Sequence, residues 1–443
     1  MCNHTQPNQM NQFTRRRNRH RQSGGIPIFA GAQGCVFKPA LKCRDQPRNL
    51  NDGNISKLGL KENAENEMRE YNQIKLYLKQ IPNYKNYFSV QAELCEPDSL
   101  EPHDLVKFDD VCTNLTHYKM DAINVNANLS KLGMINMPDL GIDLKVWMEQ
   151  VPFTAGRLRK LNDHISNLLI HAIWPMNQRG VIHNDLKSEN VLIDGKDRSR
   201  IIDWGLAGIT TPEQVIPAHH FMDNPVTFNR PFSTMVISRE TRDTYSKYLK
   251  SIGTTTPTTE QIKHFTRVVY KRYTEIFDIN GFNYLQYIFQ SMFNVTTTAM
   301  LIDAVATYNA DILYHFADPT TGLNEYFSKV YRYNTDVWGL MSVFYSIFMM
   351  PRKSFIMSDS AYDDMLRRYR TLFRTEVFAR GHERMNVSRI VQQLRQIGET
   401  KPKKKRVHFN LSVKPTRDNR LKRIPTPYPV NNAFYDRIIP LKK

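Results

Sequence analysis

The stretch VIHNDLKSENVLIDGKDRSRIIDWGLAG at residues 181–208 contains two short apolar runs, VLID and RIID, joined by the turn-forming residues GKDR. This pattern predicts a β-hairpin. Asn190 immediately precedes the first predicted strand, and Asp203 immediately follows the second. Because the outer ends of an antiparallel hairpin lie side by side, we expect these two polar side chains to be neighbours.

The side chains around this hairpin suit phosphate chemistry. An amide oxygen and a carboxylate are hard ligands of the kind that Mg²⁺ takes together with substrate phosphates, so Asn190 and Asp203 are candidate metal ligands. Asp185 lies five residues before Asn190, near enough to share the site while pointing at a different atom. Lys187 can bring positive charge to a transferring phosphoryl group. A solvated acidic turn is the alternative, and the joint pattern disfavours it.

These residues also carry a resemblance to a known family. Residues 183–190, HNDLKSEN, look like the catalytic loop of protein kinases, and residues 203–205, DWG, look like their metal-binding DFG element. The resemblance implies that ATP and Mg²⁺ are used. It assigns the transfer chemistry to Asp185 and Lys187 and the metal ion to Asn190 and Asp203.

Two positions depart from the family pattern. Asn184 replaces the loop arginine that pairs, in many kinases, with a phosphorylated activation segment, which makes that form of regulation doubtful. Trp204 replaces the phenylalanine of the DFG element. Since this is a packing position, we expect metal binding to survive the change.

A glycine turn stands upstream of this stretch. GAQGCV at residues 31–36 resembles the last part of the kinase G-x-G-x-x-G-x-V loop, with Phe29 in place of the first glycine. Glycines let backbone amides approach phosphate oxygens without a Cβ in the way. The resemblance implies that Gly31, Gly34 and Val36 bind the nucleotide, and an ordinary hairpin turn is the alternative.

Two lysines compete for the nucleotide-binding position that the resemblance implies. Lys42 follows Val36 by only six residues, too few for a strand, a turn and the next strand. Lys57 lies in the β-like run NISKLGL and is our prediction. Its partner should be a helical glutamate with apolar residues one and four positions later. Glu67 and Glu70 both meet this condition, and we prefer Glu70.

The order of the elements resembles an α+β, two-lobed protein-kinase fold, and in particular kinase-like proteins of nucleocytoplasmic large DNA viruses, over residues 26–398. The implied parts are a small β-rich N-lobe at about 26–136, a hinge at about 137–144, a large helical C-lobe at about 145–398 and a long helical insertion at about 212–330. Asp336 looks like the residue that bonds back to the catalytic loop, with an ordinary acid before an apolar helix as the alternative.

The basic residues are concentrated at the two ends of the chain, which carries a net charge of +18. Residues 1–25 contain five arginines and no acid, and residues 399–443 contain 13 basic and 3 acidic residues, so we expect two disordered basic tails. Such tails are candidate sites for acidic partners or nucleic acid. The segment from Lys401 to Val407, which includes Lys403, Lys404, Lys405 and Arg406, resembles a nuclear-import signal, with a solvated tail as the alternative.

The compartment is inferred from weaker signals. Five cysteines are odd in number and form no CxxC pair, which argues against a disulfide framework or zinc site and for a reducing compartment. The apolar run at residues 337–350 is too short to span a membrane and predicts a buried helix. We therefore expect an intracellular protein, in the host cytoplasm or the virion if it is viral. The nucleus is a further location, because the basic segment resembles an import signal.

The sequence thus predicts a serine/threonine protein kinase that acts on protein substrates. Small-molecule kinases share the aspartate and the asparagine of the motif. Two other classes stay open. A pseudokinase or scaffold is compatible with Phe29, Asn184 and Trp204, and a basic nucleic-acid-binding protein is compatible with the tails.

Overall fold

A computed structural model of the protein describes residues 25–31, 34–44, 53–210, 227–276, 279–319 and 321–398, without the side chains of residues 273–283. The predicted tails, including the basic segment at 401–407, lie outside the described residues apart from Gly25. The described residues fall into two compact units. The first contains the described residues up to 68 and those at 91–139, and the second contains residues 69–90 and the described residues from 140 to 398.

The first unit is built on a five-stranded antiparallel sheet, and the β-like run predicted at residues 54–60 is one of its strands. Its strands are β1 (Ile26–Gly31), β2 (Gly34–Lys38), β3 (Asn54–Leu60), β4 (Glu93–Cys95) and β5 (Leu132–Pro138), in the order β1-β2-β3-β5-β4. The helices are the first part of α1 (Lys61–Leu78), then α2 (Phe108–Val111) and α3 (Thr113–His117), with a 3₁₀ turn at Val125–Lys131. The helical position expected for Glu67 and Glu70 is therefore confirmed in α1, which ends before Pro82.

Two disulfides join distant parts of the first unit. Cys35 of β2 is bonded to Cys112, which lies between α2 and α3, and Cys43 is bonded to Cys95 of β4. Cys35 and Cys112 are fully buried in the apolar core with Phe37 and Phe108. The prediction of a chain without a disulfide framework is therefore wrong. An odd number of cysteines requires only one unpaired thiol, and the partners, 77 and 52 residues apart, meet only through the tertiary fold.

The second unit begins with small strands and a long, interrupted helix. Its strands are β6 (Ile142–Asp143), β7 (Phe153–Thr154), β8 (Val181–Ile182), β9 (Val191–Ile193), β10 (Ser199–Ile201), β11 (Gly208–Ile209) and β12 (Phe355–Ile356). They form three small sheets, β10-β9-β6, β11-β8 and β12-β7. The segment at residues 69–90 joins this unit because the backbone of Tyr87 and Ser89 is hydrogen-bonded to Ile201 of β10.

The second unit contains a helix at residues 155–178 with one irregularity. The short helix α4 (Leu144–Glu149) precedes it. The interrupted helix consists of α5 (Ala155–Leu168), a π turn at Leu169–Ile173 and α6 (Trp174–Gln178). Pro175 explains the irregularity, because proline has no N–H to donate and its ring crowds the carbonyl four residues earlier. The chain leaves the helix at Gly180, whose φ of 79° is one that glycine adopts without strain.

Helices dominate the rest of the second unit. The remaining helices are α7 (Thr234–Ile237), α8 (Arg239–Ser251), α9 (Thr259–Ile276), α10 (Ile279–Phe293), α11 (Thr298–His315), α12 (Thr321–Tyr326), α13 (Arg332–Met341), α14 (Tyr345–Met349), α15 (Asp359–Leu372) and α16 (Val387–Gln396).

The apolar run at residues 337–350 is helical and mostly buried, as predicted. It contains the end of α13, a 3₁₀ turn at Ser342–Phe344 and α14. Among the described residues, helices long and apolar enough to cross a membrane are absent. The fold therefore combines helices with small sheets, as the α+β class implies.

The disulfides generate a test by thiol counting. We expect one free thiol per chain in the denatured, unreduced protein and five after reduction, because four of the five cysteines are paired. Cys112→Ser should lower the free energy of unfolding by about 2–5 kcal/mol, since it opens the loop closed by that bond. Cys2→Ser, outside both bonds, is the matched control. Five free thiols before reduction would contradict the pairing.

Candidate active site

The predicted hairpin is formed by β9 and β10, and it brings the backbones of the two candidate metal ligands together. Ile201 is paired with Val191, and the N–H of Ile202 donates to the carbonyl of Asn190 at 3.1 Å. Asp203 follows directly and is exposed, with φ of 64°. The sequence prediction of neighbouring hairpin ends is thereby confirmed.

Asp185 is held by hydrogen bonds to both oxygens of its carboxylate. Oδ2 accepts from Lys187 Nζ at 2.8 Å and from Asn190 Nδ2 at 3.1 Å. Oδ1 accepts from Asn229 Nδ2 at 2.8 Å. Asn190 Nδ2 also donates to the carbonyl of Asp185 at 2.7 Å. Because these bonds occupy the amide nitrogen of Asn190, its amide oxygen is the atom that suits a cation.

Asn229 is a site residue that sequence reasoning missed. It is buried, and it lies 44 residues after the aspartate that it contacts. The motif around it, FNRP, has no spacing relation to residues 183–190 that would indicate a contact. Only the tertiary fold brings the two segments together.

The backbone before Asp185 is fixed by a buried carboxylate, that of Asp336 in α13. Asp336 Oδ2 accepts from the N–H of His183 at 3.0 Å and from Asn177 Nδ2 at 2.7 Å, and Oδ1 accepts from the N–H of Asn184 at 2.8 Å. Burial raises the pKa of Asp336, although the neighbouring His183 and these donors act in the opposite direction. The prediction that Asp336 bonds back to this loop is confirmed.

Asn184, one of the two departures, adopts an uncommon conformation. Its φ is 62°, a left-handed value that asparagine tolerates better than most residues. Its side chain is buried, and neither polar atom of the side chain has a hydrogen-bond partner among the described residues. Its carbonyl accepts from Arg230 Nε at 2.9 Å. A neutral side chain therefore fills the position where the family has an arginine.

Trp204, the other departure, packs into the interior of the second unit. Its ring centroid lies 4.9 Å from that of His183 and 5.7 Å from that of Phe88, and its Nε1 donates to the carbonyl of Ser89 at 3.3 Å. His183 Nε2 in turn donates to the carbonyl of Ile202 at 2.9 Å. The indole thus fixes the chain next to Asp203 and leaves the Asp203 carboxylate on the exposed side.

In the first unit, Lys57 of β3 forms an ion pair with α1, but not with the predicted residue. Its Nζ lies 2.9 Å and 2.6 Å from the two carboxylate oxygens of Glu67. The choice of Glu70 as partner is therefore wrong. Glu70 lies nearly one turn further along α1 and is exposed, whereas Glu67 is flanked by the buried Ala64 and Met68. Two glutamates three residues apart share a helix face, so spacing alone did not separate them.

The glycine turn lies beside this lysine. Gly31 and Gly34 face each other at the ends of β1 and β2, and the two residues between them lie outside the described part of the chain. A Cβ on Gly34 would stand 2.9 Å from the carbonyl oxygen of Leu58 and 3.0 Å from Lys57 Cγ, so only glycine fits there. Val36 pairs with Lys57 across the β2–β3 ladder. The rejected candidate, Lys42, forms an ion pair with Asp98 instead.

Comparisons with known proteins agree with the resemblance of residues 183–205 to protein kinases. Residues 140–228, which contain the Asp185 and Asp203 motifs, match the protein kinase domain family. Serine/threonine-protein kinase ksg1 of Schizosaccharomyces pombe is 35% identical to this chain over 80 residues, which are 17% of this chain and 14% of that protein. The chain thus matches about a seventh of that relative's length. Both similarities support a relationship to the protein kinase superfamily.

The turn of the hairpin generates a pH-dependent prediction. Burial of the Asp194 carboxylate acts to raise its pKa, but hydrogen bonds from the backbone of Arg198 and Lys196 and from the guanidinium groups of Arg198 and Arg200 lower it to about 2. This is below the ordinary value of about 3.9 for an unfolded chain. The ionised carboxylate therefore stabilises the fold above about pH 4, and this contribution is lost as the pH falls towards 2.

Asp194→Asn should consequently lower the free energy of unfolding at about pH 6, and its difference from the wild type should shrink as the pH falls to about 3. Urea unfolding at a series of pH values measures this difference. The same change at Asp363, exposed on α15, controls for removal of a surface charge. A difference that stays constant over this pH range would contradict the role of Asp194.

Proposed function

We propose that the chain is an ATP- and Mg²⁺-dependent protein kinase with a two-lobed kinase fold, which transfers the γ-phosphoryl group of ATP to serine or threonine hydroxyls of proteins. The observation that carries the proposal is the arrangement around Asp185. Its carboxylate is oriented by Lys187, Asn190 and Asn229, and the hairpin brings Asp203 next to Asn190. Phosphoryl transfer depends mainly on positioning and charge stabilisation, which such an arrangement supplies.

Asp185 is the group that acts on the acceptor. The substrate hydroxyl oxygen forms a bond to the γ-phosphorus, the bond from that phosphorus to the bridging oxygen of ADP breaks, and the hydroxyl proton passes to the Asp185 carboxylate. Lys187 Nζ, which lies 2.8 Å from Asp185 Oδ2, places its positive charge beside the transferring group.

The residues at the hairpin end fit a magnesium ion. Asn190 offers an amide oxygen because its nitrogen is bonded to Asp185, and Asp203 offers an exposed carboxylate. Both are the hard oxygen donors that Mg²⁺ prefers. When bound, the metal ion neutralises charge on the phosphate oxygens.

Lys57 is the proposed contact to the nucleotide phosphates in the first unit. Glu67 holds its ammonium group through both carboxylate oxygens, and the missing Cβ of Gly34 leaves room for the lysine stem. A lysine fixed in this way presents a point charge at a defined position. The glycine turn at residues 31–34 is proposed to bring backbone amides to the same phosphates.

A protein substrate is favoured by a cavity in the second unit. It has a volume of about 720 Å³ and is lined on one side by Ser188 and Glu189, directly after Lys187. Apolar side chains of Met148, Val151 and Met349 form other parts of its wall. A cavity that includes the residues directly after Lys187 and combines charged with apolar groups suits a peptide side chain.

The proposal extends to origin, partners and location. The resemblance to kinase-like proteins of nucleocytoplasmic large DNA viruses supports action inside an infected cell or packaging in the virion. The basic tails support binding of acidic partners or nucleic acid, and the segment from Lys401 to Val407 supports recognition by an import receptor, hence the nucleus.

A pseudokinase or scaffold is the competing proposal. Asn184, whose buried side chain has no hydrogen-bond partner in the described part of the chain, and Trp204 favour it, because both depart from the pattern of active kinases. It predicts binding of nucleotide without transfer. A nucleic-acid-binding protein predicts instead that affinity resides in the tails and falls steeply with salt.

Phosphate transfer tests the proposal directly. The purified full chain is incubated with γ-labelled ATP, Mg²⁺ and a mixed basic and acidic acceptor protein. We expect label on the acceptor, a loss of about 10²–10⁴-fold in rate for Asp185→Asn because the base is removed, and loss of turnover for Asp203→Asn because a metal ligand is removed. Phosphoamino-acid analysis separates serine and threonine from tyrosine.

The matched control is Asp197→Asn, which changes an aspartate in the turn of the same hairpin that pairs with Lys160. It should retain transfer. Full activity of Asp203→Asn would contradict the metal assignment, and nucleotide binding by an inactive wild type would favour the scaffold.

The choice between the two glutamates generates a second test. Glu67→Gln should lower kcat/KM by about tenfold or more, because it removes the charge that holds Lys57. Glu70→Gln, in the same helix, should leave kcat/KM within about twofold of the wild type. Circular dichroism melts of both variants check that they are folded. Equal losses in the two variants would contradict a specific role for the Lys57–Glu67 pair.

A further inference from the structure

Two histidines and an aspartate meet in the second unit, away from the residues discussed above. Asp311 and His315 lie one turn apart on α11, and His382 comes from the loop before α16. His382 Nδ1 lies 2.6 Å from Asp311 Oδ2. His315 Nδ1 lies 2.8 Å from the carbonyl oxygen of Asp311 and 3.7 Å from its Oδ1.

The side chains form a compact set of metal-binding donors. One ligand atom from each of the three residues lies within 4.8 Å of the others. The two imidazole rings are stacked, with centroids 3.6 Å apart and an angle of 8° between their planes. His382 Nε2 also lies 3.5 Å from Glu383 Oε1, which places a second carboxylate beside the cluster.

The loop that carries His382 is held firmly against α11. A Cβ on Gly381 would stand 2.8 Å from the side chain of Ile312 and 3.0 Å from the carbonyl oxygen of Tyr308, so the close approach requires glycine. Asn334 also holds the loop through two hydrogen bonds. Its Nδ2 donates to the carbonyl of Glu383 and its Oδ1 accepts from the N–H of Met385, both at 2.8 Å. His382 therefore lies on a segment that these contacts hold in place.

We propose that Asp311, His315 and His382 form a binding site for a single divalent transition-metal ion, with Zn²⁺ as the best match. Two imidazoles and a carboxylate are borderline and hard donors of the kind that zinc combines, whereas Mg²⁺ and Ca²⁺ prefer all-oxygen sites. His315 is exposed, so its ring can leave the stack and turn a nitrogen to the metal ion. Solvent reaches the cluster and can supply a fourth ligand.

Such an ion would tie α11 to the loop at residues 380–385. The expected consequence is structural, because a ligand that binds only the folded state raises the stability of that state. The site is independent of the kinase proposal, since it uses none of the residues assigned to ATP, Mg²⁺ or the acceptor. Failure of one proposal therefore leaves the other intact.

The experiment uses the full chain, stripped of metal with a chelator and kept without reductant so that the disulfides stay closed. Co²⁺ is titrated as a spectroscopic probe and then displaced with Zn²⁺, and zinc binding is measured by calorimetry. We expect one equivalent per chain, visible Co²⁺ bands typical of low coordination, and a rise in melting temperature with Zn²⁺. His315→Ala and His382→Ala should each weaken binding by about tenfold or more.

His264→Ala is the matched control, because His264 is an exposed helical histidine on α9. It should bind zinc as the wild type does. Melting curves without metal check that the variants are folded, and Asp311→Asn supplies a variant of nearly unchanged shape. The proposal is overturned if no zinc binds, or if binding is unaffected by the two histidine changes and therefore belongs elsewhere on the chain.

Discussion

The buried carboxylate of Asp336 holds two consecutive backbone N–H groups, those of His183 and Asn184, and the geometry of the segment at residues 183–190 depends on this contact. Asn184 keeps a left-handed φ that most residues avoid. The carboxylate supplies acceptors for donors that would otherwise be buried without partners, and an unsatisfied buried donor is expensive. After the turn at Asn184, the Asp185 carboxylate accepts hydrogen bonds from Lys187, Asn190 and Asn229.

Hydrogen bonds of His183 and Asn190 continue this ordering from the Asp336 contact towards Asp185. His183 donates from Nε2 to the carbonyl of Ile202, and its Nδ1 accepts from the N–H of Asp185 at 3.3 Å, which fixes one tautomer of the ring. The amide nitrogen of Asn190 donates to Asp185, which leaves the amide oxygen of Asn190 to face a ligand. Orientation is therefore built into the protein before any ligand binds, which is what electrostatic catalysis requires.

The parts of this architecture that follow from local sequence could be predicted, and the parts that follow from tertiary contacts could not. The alternation and spacing of nearby apolar residues predict the hairpin and the helix at residues 155–178. The Asn229 contact, the two disulfides and the choice of Glu67 over Glu70 depend on segments far apart in the chain or on small differences in helix rotation. The kinase motif identified Asp185, Asn190 and Asp203 as a group, but only the fold supplies the donors that orient them.

The departures from the kinase pattern at positions 184 and 204 fall at buried packing positions, and this bears on how the site is kept in order. At position 184 a neutral side chain is buried, and the adjacent carbonyl is held by Arg230 while Asn229 holds Asp185. Two consecutive residues of one segment thus contact the loop at residues 183–190 directly. These contacts use a guanidinium and an amide of the chain itself, and they require no phosphate group. In the kinase that we propose, alignment of Asp185 therefore needs no phosphorylation of that segment, because the charge and the hydrogen bonds that align the carboxylate are already present.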